Sequence, residues 1–230
     1  MSTRSTFESE RLILRPFGPA DAPTLQALLN HPELAGRRGL PWGFNEEAPL
    51  SHGQVEQILG KWGEGEEGMH LAVVQRESQE LIGHAEVDWG WDPHASSLWL
   101  LIAPTHQRQG FGSEALRLLL DYIFEYTPAH NVTLWAADWN QAGLAFARKH
   151  GFQECGRFRR DSFHRGVYVD GVVFDMLRPE WQARKAAQTT SVTQNDSRHP
   201  STAGFDNPQA MLGALAQPSA QDASLTNKEG

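Results

Sequence analysis

The alternation of apolar and polar residues divides the chain into recognisable elements. Arg11-Leu12-Ile13-Leu14-Arg15-Pro16 reads as a short strand, stopped by Pro16 and Gly18. Asp21 stands at a helix N-cap position, Pro23 takes an early helical place, and Leu25, Leu28 and Leu29 share one face. Asn30-His31-Pro32 ends this helix, and a Gly- and Pro-rich stretch runs on to Ala48. Within it, Leu40-Pro41-Trp42-Gly43-Phe44 offers Trp42 either to a binding wall or as a hydrophobic plug. Ser51 and Gln54 have capping-box spacing ahead of a helix whose apolar side is Val55, Ile58, Leu59 and Trp62. Gly63 to Gly68 is a turn and Met69 to Val74 a strand. Glu80 to Trp89 then alternates with a period of two, placing His84, Glu86 and Asp88 on one face and Ala85, Val87 and Trp89 on the other. The polar face looks either to solvent or into a cleft.

In the second half an apolar run, Leu98 to Ala103, leads into an amphipathic run with Leu116, Leu119, Leu120, Ile123 and Phe124 at helical spacing, ending near Thr127-Pro128. Asn131 to Asp138 is a further strand, and Leu144 to His150 a helix that Gly151 terminates in the left-handed conformation. Two strands remain, about Cys155 to Tyr168 and Val172 to Leu177, joined at the hairpin dipeptide Asp170-Gly171 and stopped by Pro179. The order is strand, two helices, three strands, helix, strand, helix, two strands. That order predicts an α/β (α+β) fold, a mixed sheet with helices on both faces.

Composition divides the chain once more. From Ala183 onward Gln, Ser, Thr, Ala and Asn dominate and Phe205 is the one aromatic residue. Such a segment buries too little apolar surface to offset the entropy of ordering it. One domain, residues 1–182, and a disordered tail, 183–230, are expected. The tail is neutral, so the formal net charge of −8 belongs to the domain. Residues 1–93 hold 7 Lys/Arg against 15 Asp/Glu, whereas 94–182 hold 9 of each. This balance argues against nucleic acid as a partner and suits a cationic substrate such as an amine, though acidity also simply serves solubility. The single cysteine, Cys155, excludes an internal disulfide and any multi-cysteine metal site, and is expected to be structural. Met1 to Arg11 lacks the apolar core of a signal peptide and no run reaches membrane-spanning length, so a cytoplasmic protein with no membrane partner is expected.

The candidate chemistry lies between the second apolar run and its helix. Gly110 and Gly112 have no Cβ, so an anion can approach the main chain where a strand ends and a helix begins. The first N–H groups of a helix lack internal partners and sit at the positive end of its dipole, which suits pyrophosphate. No Lys-Ser or Lys-Thr follows Gly112, as a Walker loop requires, and no third glycine stands at Glu114 or Ala115, as a dinucleotide fingerprint requires.

The full spacing, Pro104-x-x-Gln107-x-x-Gly110-x-Gly112, resembles the acyl-CoA pyrophosphate loop of the GNAT superfamily of N-acetyltransferases. The resemblance runs from about Arg11 to Trp181. Asn140 with Lys149-His150-Gly151-Phe152, Tyr168-Val169-Asp170-Gly171 with Asp175, Glu180-Trp181 and Leu40-Pro41-Trp42 are similar to the branch containing the ribosomal-protein N-terminal (alanine/serine) acetyltransferases. It implies a mostly antiparallel sheet of about seven strands flanked by about four helices, with acetyl-CoA as co-substrate and no metal. Leu101 and Ile102 would then offer main-chain groups to the pantetheine amides. Gln107, Arg108, Gln109, Gly110, Phe111, Gly112 and Ser113 would hold the pyrophosphate, Arg108 by a charge-assisted bond unless it is merely solvated. Asn140 would meet pantetheine or substrate, cap the following helix, or do both.

Acetyl transfer by direct attack needs a deprotonated amine, a polarised carbonyl and a proton for the departing thiolate. Where many relatives carry a glutamate before the loop this chain has Ser97, so Glu86 or Asp88 becomes the candidate base and, with Trp42, Glu86 a candidate for acceptor binding. Positions where relatives place a proton-donating tyrosine or serine hold Ala147 and Gly143. Two functions are therefore carried forward. One is an N-acetyltransferase acting on a small amine or a protein N-terminus, as a monomer or homodimer. The other is a catalytically weak acyl-CoA-binding sensor or scaffold.

Overall fold

The computed structural model describes residues 7–41, 43–63, 68–89 and 92–196, with side chains as far as Ala187. Among these residues eight strands form one sheet: β1 (Phe7–Glu8), β2 (Leu12–Pro16), β3 (Gly68–Gln75), β4 (Leu81–Asp88), β5 (Ala95–Ile102), β6 (Asn131–Ala137), β7 (Gln153–His164) and β8 (Val167–Leu177). Five helices accompany them: α1 (Ala22–Leu29), α2 (His52–Gly63), α3 (Phe111–Tyr126), α4 (Gln141–Lys149) and α5 (Arg178–Asp196). The strand order is β1-β2-β3-β4-β5-β6-β8-β7, antiparallel throughout except for β5 beside β6. A parallel pair needs a long crossover, and α3 supplies it.

Each face of the sheet has its own core. On one, α3 and α4 pack through Leu116, Leu119, Ile123, Leu144 and Ala147 onto Val73, Ala85, Val87 and Leu98. On the other, α1 and α2 bring Leu25, Leu29, Val55, Ile58 and Trp62 against Ala72, Val74 and Leu101. The alternation read along β4 is thus real: Ala85 and Val87 belong to the α3 side, and His84 with Glu86 to the α1–α2 side.

One departure from regular pairing matters most. β5 and β6 are partnered only at Ala95–Asn131, Ser96–Val132 and Ser97–Thr133. Beyond Ser97 they part, while β4 stays paired with β5 as far as Ile102. The central sheet opens into a wedge whose near wall is the unpaired edge of β5.

Three local expectations are corrected. The Asp21 side chain does not cap α1; its carboxylate accepts from both terminal nitrogens of Arg15, each at 2.7 Å, and from the Gly18 N–H at 2.8 Å. The hairpin between β7 and β8 turns at Arg165-Gly166, both at positive φ (49° and 88°), rather than at Asp170-Gly171. Gly171 lies within β8 because the Trp135 indole packs where its side chain would be. The last strand does stop where Pro179 was expected to stop it: β8 ends at Leu177, and Pro179 occupies the first turn of α5, where its missing N–H costs nothing. That helix continues through Asp196 although tail was expected from Ala183. Trp181 packs on Phe124, with ring centres 5.3 Å apart, and Lys185 pairs with Asp121 at 3.0 Å. Residues 197–230 of the expected tail lie outside the described residues.

Candidate functional site

The wedge holds a cavity of about 410 Å³ between β5, β6, the start of α3 and the start of α4. Of the candidates drawn from the sequence, Leu101, Ile102, Gln107, Arg108, Gly110, Gly112, Ser113 and Asn140 all line it. Eight residues spread over forty positions are thereby gathered on one opening.

The loop that forms its upper end is built by two left-handed turns, at Arg108 (φ 60°) and Gly110 (φ 89°). Gly110 is the N-cap of α3 and offers no side chain, so no side-chain acceptor meets the first N–H groups of the helix. The helical ladder begins with Glu114 N–H on Gly110 O at 3.0 Å. The earlier N–H groups are left for a ligand, at the positive end of a sixteen-residue helix. A Cβ at Gly112 would stand 3.5 Å from Phe146, so its absence leaves approach to the main chain open without being forced by packing.

Several loop side chains are otherwise engaged. Gln107 Nε2 donates to Ile102 O at 2.8 Å, tying the loop to the end of β5 rather than facing an anion. Gln109 is spent in the same way, on Thr105 O at 2.8 Å, and does not line the cavity. The Phe111 ring is buried in the α3 core, leaving only its main chain for a ligand. Arg11, not anticipated as part of the site, locks the loop from below. It donates to Gln109 O at 3.0 Å and to Glu114 Oε2 at 2.8 Å, and its guanidinium lies 4.7 Å from the Phe111 ring centre. This pairing also neutralises the carboxylate nearest the helix start.

Asn140 caps α4: its Oδ1 accepts from Gly143 N–H and from Arg37 Nη1, both at 3.2 Å. The cap explains Gly143, where a Cβ would come within 2.6 Å of the Asn140 amide. Ala147 is buried in the core. Neither position can deliver a proton, and Asn140 acts here through its carbonyl oxygen.

Around the corner of the wedge, on the α1–α2 face, stands a second set of groups that sequence alone did not join. Trp99 of β5 stacks on Trp135 of β6 (5.9 Å between ring centres), and Trp139 stacks on His164 at 4.0 Å. His164 Nδ1 meets Glu47 Oε1 at 2.5 Å, which closes the β7–β8 hairpin onto the segment between α1 and α2. Both tryptophans on the strands occur in apolar runs, and only the strand register reveals that they share a face. Trp42 lies outside the described residues.

Glu86 is directly opposite Trp99 in the β4–β5 ladder, and Asp88 directly opposite Ser97. Cross-strand partners share a face, so the carboxylates absent at Ser97 stand one strand away, beside the tryptophan wall. Neither carboxylate lines the main cavity. Burial, reinforced by Asp88, pushes the Glu86 carboxyl up to about 7. His70 Nδ1 is 3.7 Å from Glu86 Oε2, and Trp62 stacks on His70 and leans on His84, with centres 5.1 and 5.0 Å apart. Burial lowers both imidazoles to about 4, so they are neutral near pH 7. The result is a buried carboxyl between neutral imidazoles, with the charge of Asp88 beside it, poised to hold or release a proton near neutrality.

The comparisons with known proteins agree with this geometry. The profile described as "Acetyltransferase (GNAT) domain" matches residues 11–153. The chain belongs to the GNAT acetyltransferase family. It is 25% identical over 182 residues to the uncharacterized N-acetyltransferase YoaA of Bacillus subtilis (strain 168), covering 75% of this chain and 96% of that protein. It is also 29% identical over 99 residues to the spermidine N(1)-acetyltransferase of Vibrio cholerae, covering 43% of this chain and 57% of that one. Among solved structures, a GCN5-related N-acetyltransferase from Brucella melitensis superposes with TM-score 0.68 at 21% identity, over 82% of this chain and 86% of that one. A structure described as "a putative ribosomal-protein-serine acetyltransferase from Vibrio cholerae" does so with TM-score 0.63 at 22% identity, over 77% and 99%. At these identities the structures establish the fold.

The enzyme is thus an acetyl-CoA-dependent N-acetyltransferase, with eight strands where about seven were expected and five helices where about four were. The wedge suits this co-substrate on its own evidence: an unpaired strand edge for amides, an uncapped helix start for a diphosphate, and no carboxylate along the cavity to repel it. Among the described residues no group of three or more His, Cys, Asp or Glu could hold a metal ion, and no helix is long and apolar enough to cross a membrane.

Proposed function

We propose that the enzyme moves the acetyl group of acetyl-CoA to a primary amine, a small amine or a protein N-terminus, that reaches the thioester from the α1–α2 face. The parting of β5 from β6 carries this reading, because it leaves one opening reached from both faces of the sheet. On the α3 face, main-chain groups of Leu101 and Ile102 take the pantetheine arm, and the N–H groups around Gly110, Gly112 and Ser113 take the pyrophosphate, with Arg108 adding charge. On the other face, Trp99, Trp135 and Trp139 wall the approach of the amine, and electron-rich rings suit a cation before it loses its proton.

Glu86 is assigned as the base. Its carboxyl, held at about 7, accepts a proton from the incoming ammonium or from water between them, and the neutral amine attacks the thioester carbon. Asp88 raises that basicity from the same face of β4 and stands in reserve as an alternative acceptor. Asn140 shapes the wall where the strands part. With Gly143 and Ala147 in place of hydroxyl-bearing side chains, the departing thiolate takes its proton from solvent. The acidic front half of the chain adds a field that draws cationic acceptors.

Release of free thiol from acetyl-CoA, measured against a panel of N-terminal peptides, polyamines and aminoglycosides, tests the proposal. Turnover on a member of the panel is expected. Tight CoA binding with no turnover on any acceptor would instead favour a binding module.

A further inference from the structure

We propose that Lys149 and Arg184, with Arg108 across the cavity mouth, form a second phosphate site that reads the 3′-phosphate of coenzyme A. The proposal rests on the reading of the Gly110–Ser113 turn as the pyrophosphate cradle and adds to it a means of telling CoA from dephospho-CoA.

Geometry carries the argument. Arg108 and Lys149 line the same cavity as Gly110, Gly112 and Ser113. Ser113 and His150 form a hydrogen-bonded pair at 2.9 Å, which joins the first turn of α3 to the end of α4. Directly beyond, Arg184 of α5 reaches back to Lys149 O at 3.5 Å. Its guanidinium occupies the space that a side chain at Gly151 would fill, so the glycine at the end of α4 is also the seat of this arginine. Two cations, Arg108 from the loop and Lys149 from the end of α4, therefore line the cleft, and Arg184 of α5 stands directly behind Lys149.

Their charge is uncompensated. Arg11, Arg15, Arg76, Arg148, Arg157 and Lys185 all have carboxylate partners. Arg108, Lys149 and Arg184 have none among the described residues, and all three are exposed. In a chain of net charge −8 such a local excess favours a polyanion. The pyrophosphate supplies part of it. The ribose of CoA carries a further phosphate only a few bonds away, and Lys149 and Arg184 extend the positive edge past the loop. Burial, then the charges of Lys149 and Arg184, hold the His150 imidazole below its ordinary value, so it remains a neutral partner for Ser113. Arg184 stands beyond residues 11–153, the stretch that the family's own profile matches.

The test compares binding of CoA and of 3′-dephospho-CoA to the full chain by titration calorimetry at low and moderate salt. We expect CoA to bind about tenfold tighter at low salt, as charge-assisted bonds to one phosphate allow, with the advantage shrinking as salt screens it. The double substitution Lys149→Gln with Arg184→Gln should bring the ratio close to one, whereas Arg184→Lys should retain most of it. Equal affinities in the unaltered protein, or a ratio that the double substitution leaves in place, would overturn the proposal and reduce Arg184 to a cap on α4. Failure of both ligands to bind would overturn the cradle reading as well, so the two failures are distinguishable.

Discussion

The two sides of the wedge are built on different principles. On the α3 side recognition is assigned to peptide groups: an unpaired strand edge, two left-handed residues and an uncapped helix start, with side chains such as Gln107 and Arg11 spent on holding the backbone in shape. On the α1–α2 side it falls to side chains from distant segments: Trp99 stacked on Trp135, Trp139 stacked on His164, and Glu86 opposite Trp99 in the strand ladder. A site made of main chain tolerates drift in sequence as long as its glycines and turns persist. One made of side chains changes with each substitution. Donor use can therefore remain constant while acceptors diverge, and substitutions on the two sides should fail in different ways.

The largest expected effect lies on the acceptor side. Glu86→Gln keeps the volume and hydrogen-bonding capacity of the side chain but cannot accept the proton, so kcat with the best acceptor of the panel should fall by about 10²- to 10⁴-fold. Affinity for CoA should hold. In the unaltered enzyme the rate should climb with pH as Glu86 ionises through about 7, and that limb should be lost in the variant. A pH–rate profile that keeps its limb would move the role to another group.

On the donor side the expected failure is in binding. Gly112→Asp sets a carboxylate against the pyrophosphate, and calorimetry should show CoA affinity lower by about 100-fold or more. Gly112→Ala adds only a Cβ at 3.5 Å from Phe146 and 3.6 Å from Ile102, contacts the fold accepts, and should cost far less. If the two variants bind CoA alike, charge is not what the loop responds to.

The same contrast governs what could be read from the chain. The spacing Pro104, Gln107, Gly110, Gly112 is local, and a main-chain site announces itself through the residues that permit its backbone. The alternation along β4 placed His84 and Glu86 on one face, but the choice between solvent and cleft depended on α2 laying Trp62 across that face. Trp99 and Trp135 were hidden inside apolar runs, where strand propensity accounts for them without a site. The Arg165-Gly166 turn lost to Asp170-Gly171 because the dipeptide rule weighs turn chemistry and cannot register that the Trp135 indole needs the space a side chain at Gly171 would fill. Helix α5 was missed for a related reason. It is polar along its length and owes its place to Trp181 on Phe124 and to Lys185 beside Asp121, contacts that composition does not record.

Stability should carry a smaller mark of the acceptor side. His70 and His84 are lowered from 6.5 to about 4, so between those values the unfolded chain binds more protons and stability rises with pH. Glu86 acts in the opposite sense. Raised from 4.5 to about 7, it keeps its proton in the folded state, and its contribution falls as pH increases across that window. Two groups oppose one, so the melting temperature should rise from pH 4 to 6.5 and then level or dip slightly toward 7. His84→Gln, which can still donate to Arg38 O where the imidazole does so at 2.7 Å, should flatten the rise. A profile unchanged by that substitution would assign the acid limb to other groups.

The smallest effect is expected furthest from both sides. We propose that residues 197–230 form a tail that contributes little to the fold, since polar residues dominate them and few large apolar side chains are there to bury. Deleting them should shift the melting temperature by no more than about 2 °C, the scale of about 0.5–1 kcal/mol in a domain of this size, and leave the preference for CoA over dephospho-CoA intact. Cutting instead after Trp181 removes Arg184 and Lys185 together, so it should both lower the melting temperature and erase that preference. A large loss on the shorter deletion would mean that the last residues dock on the domain, and the boundary between folded unit and tail would move past Asp196.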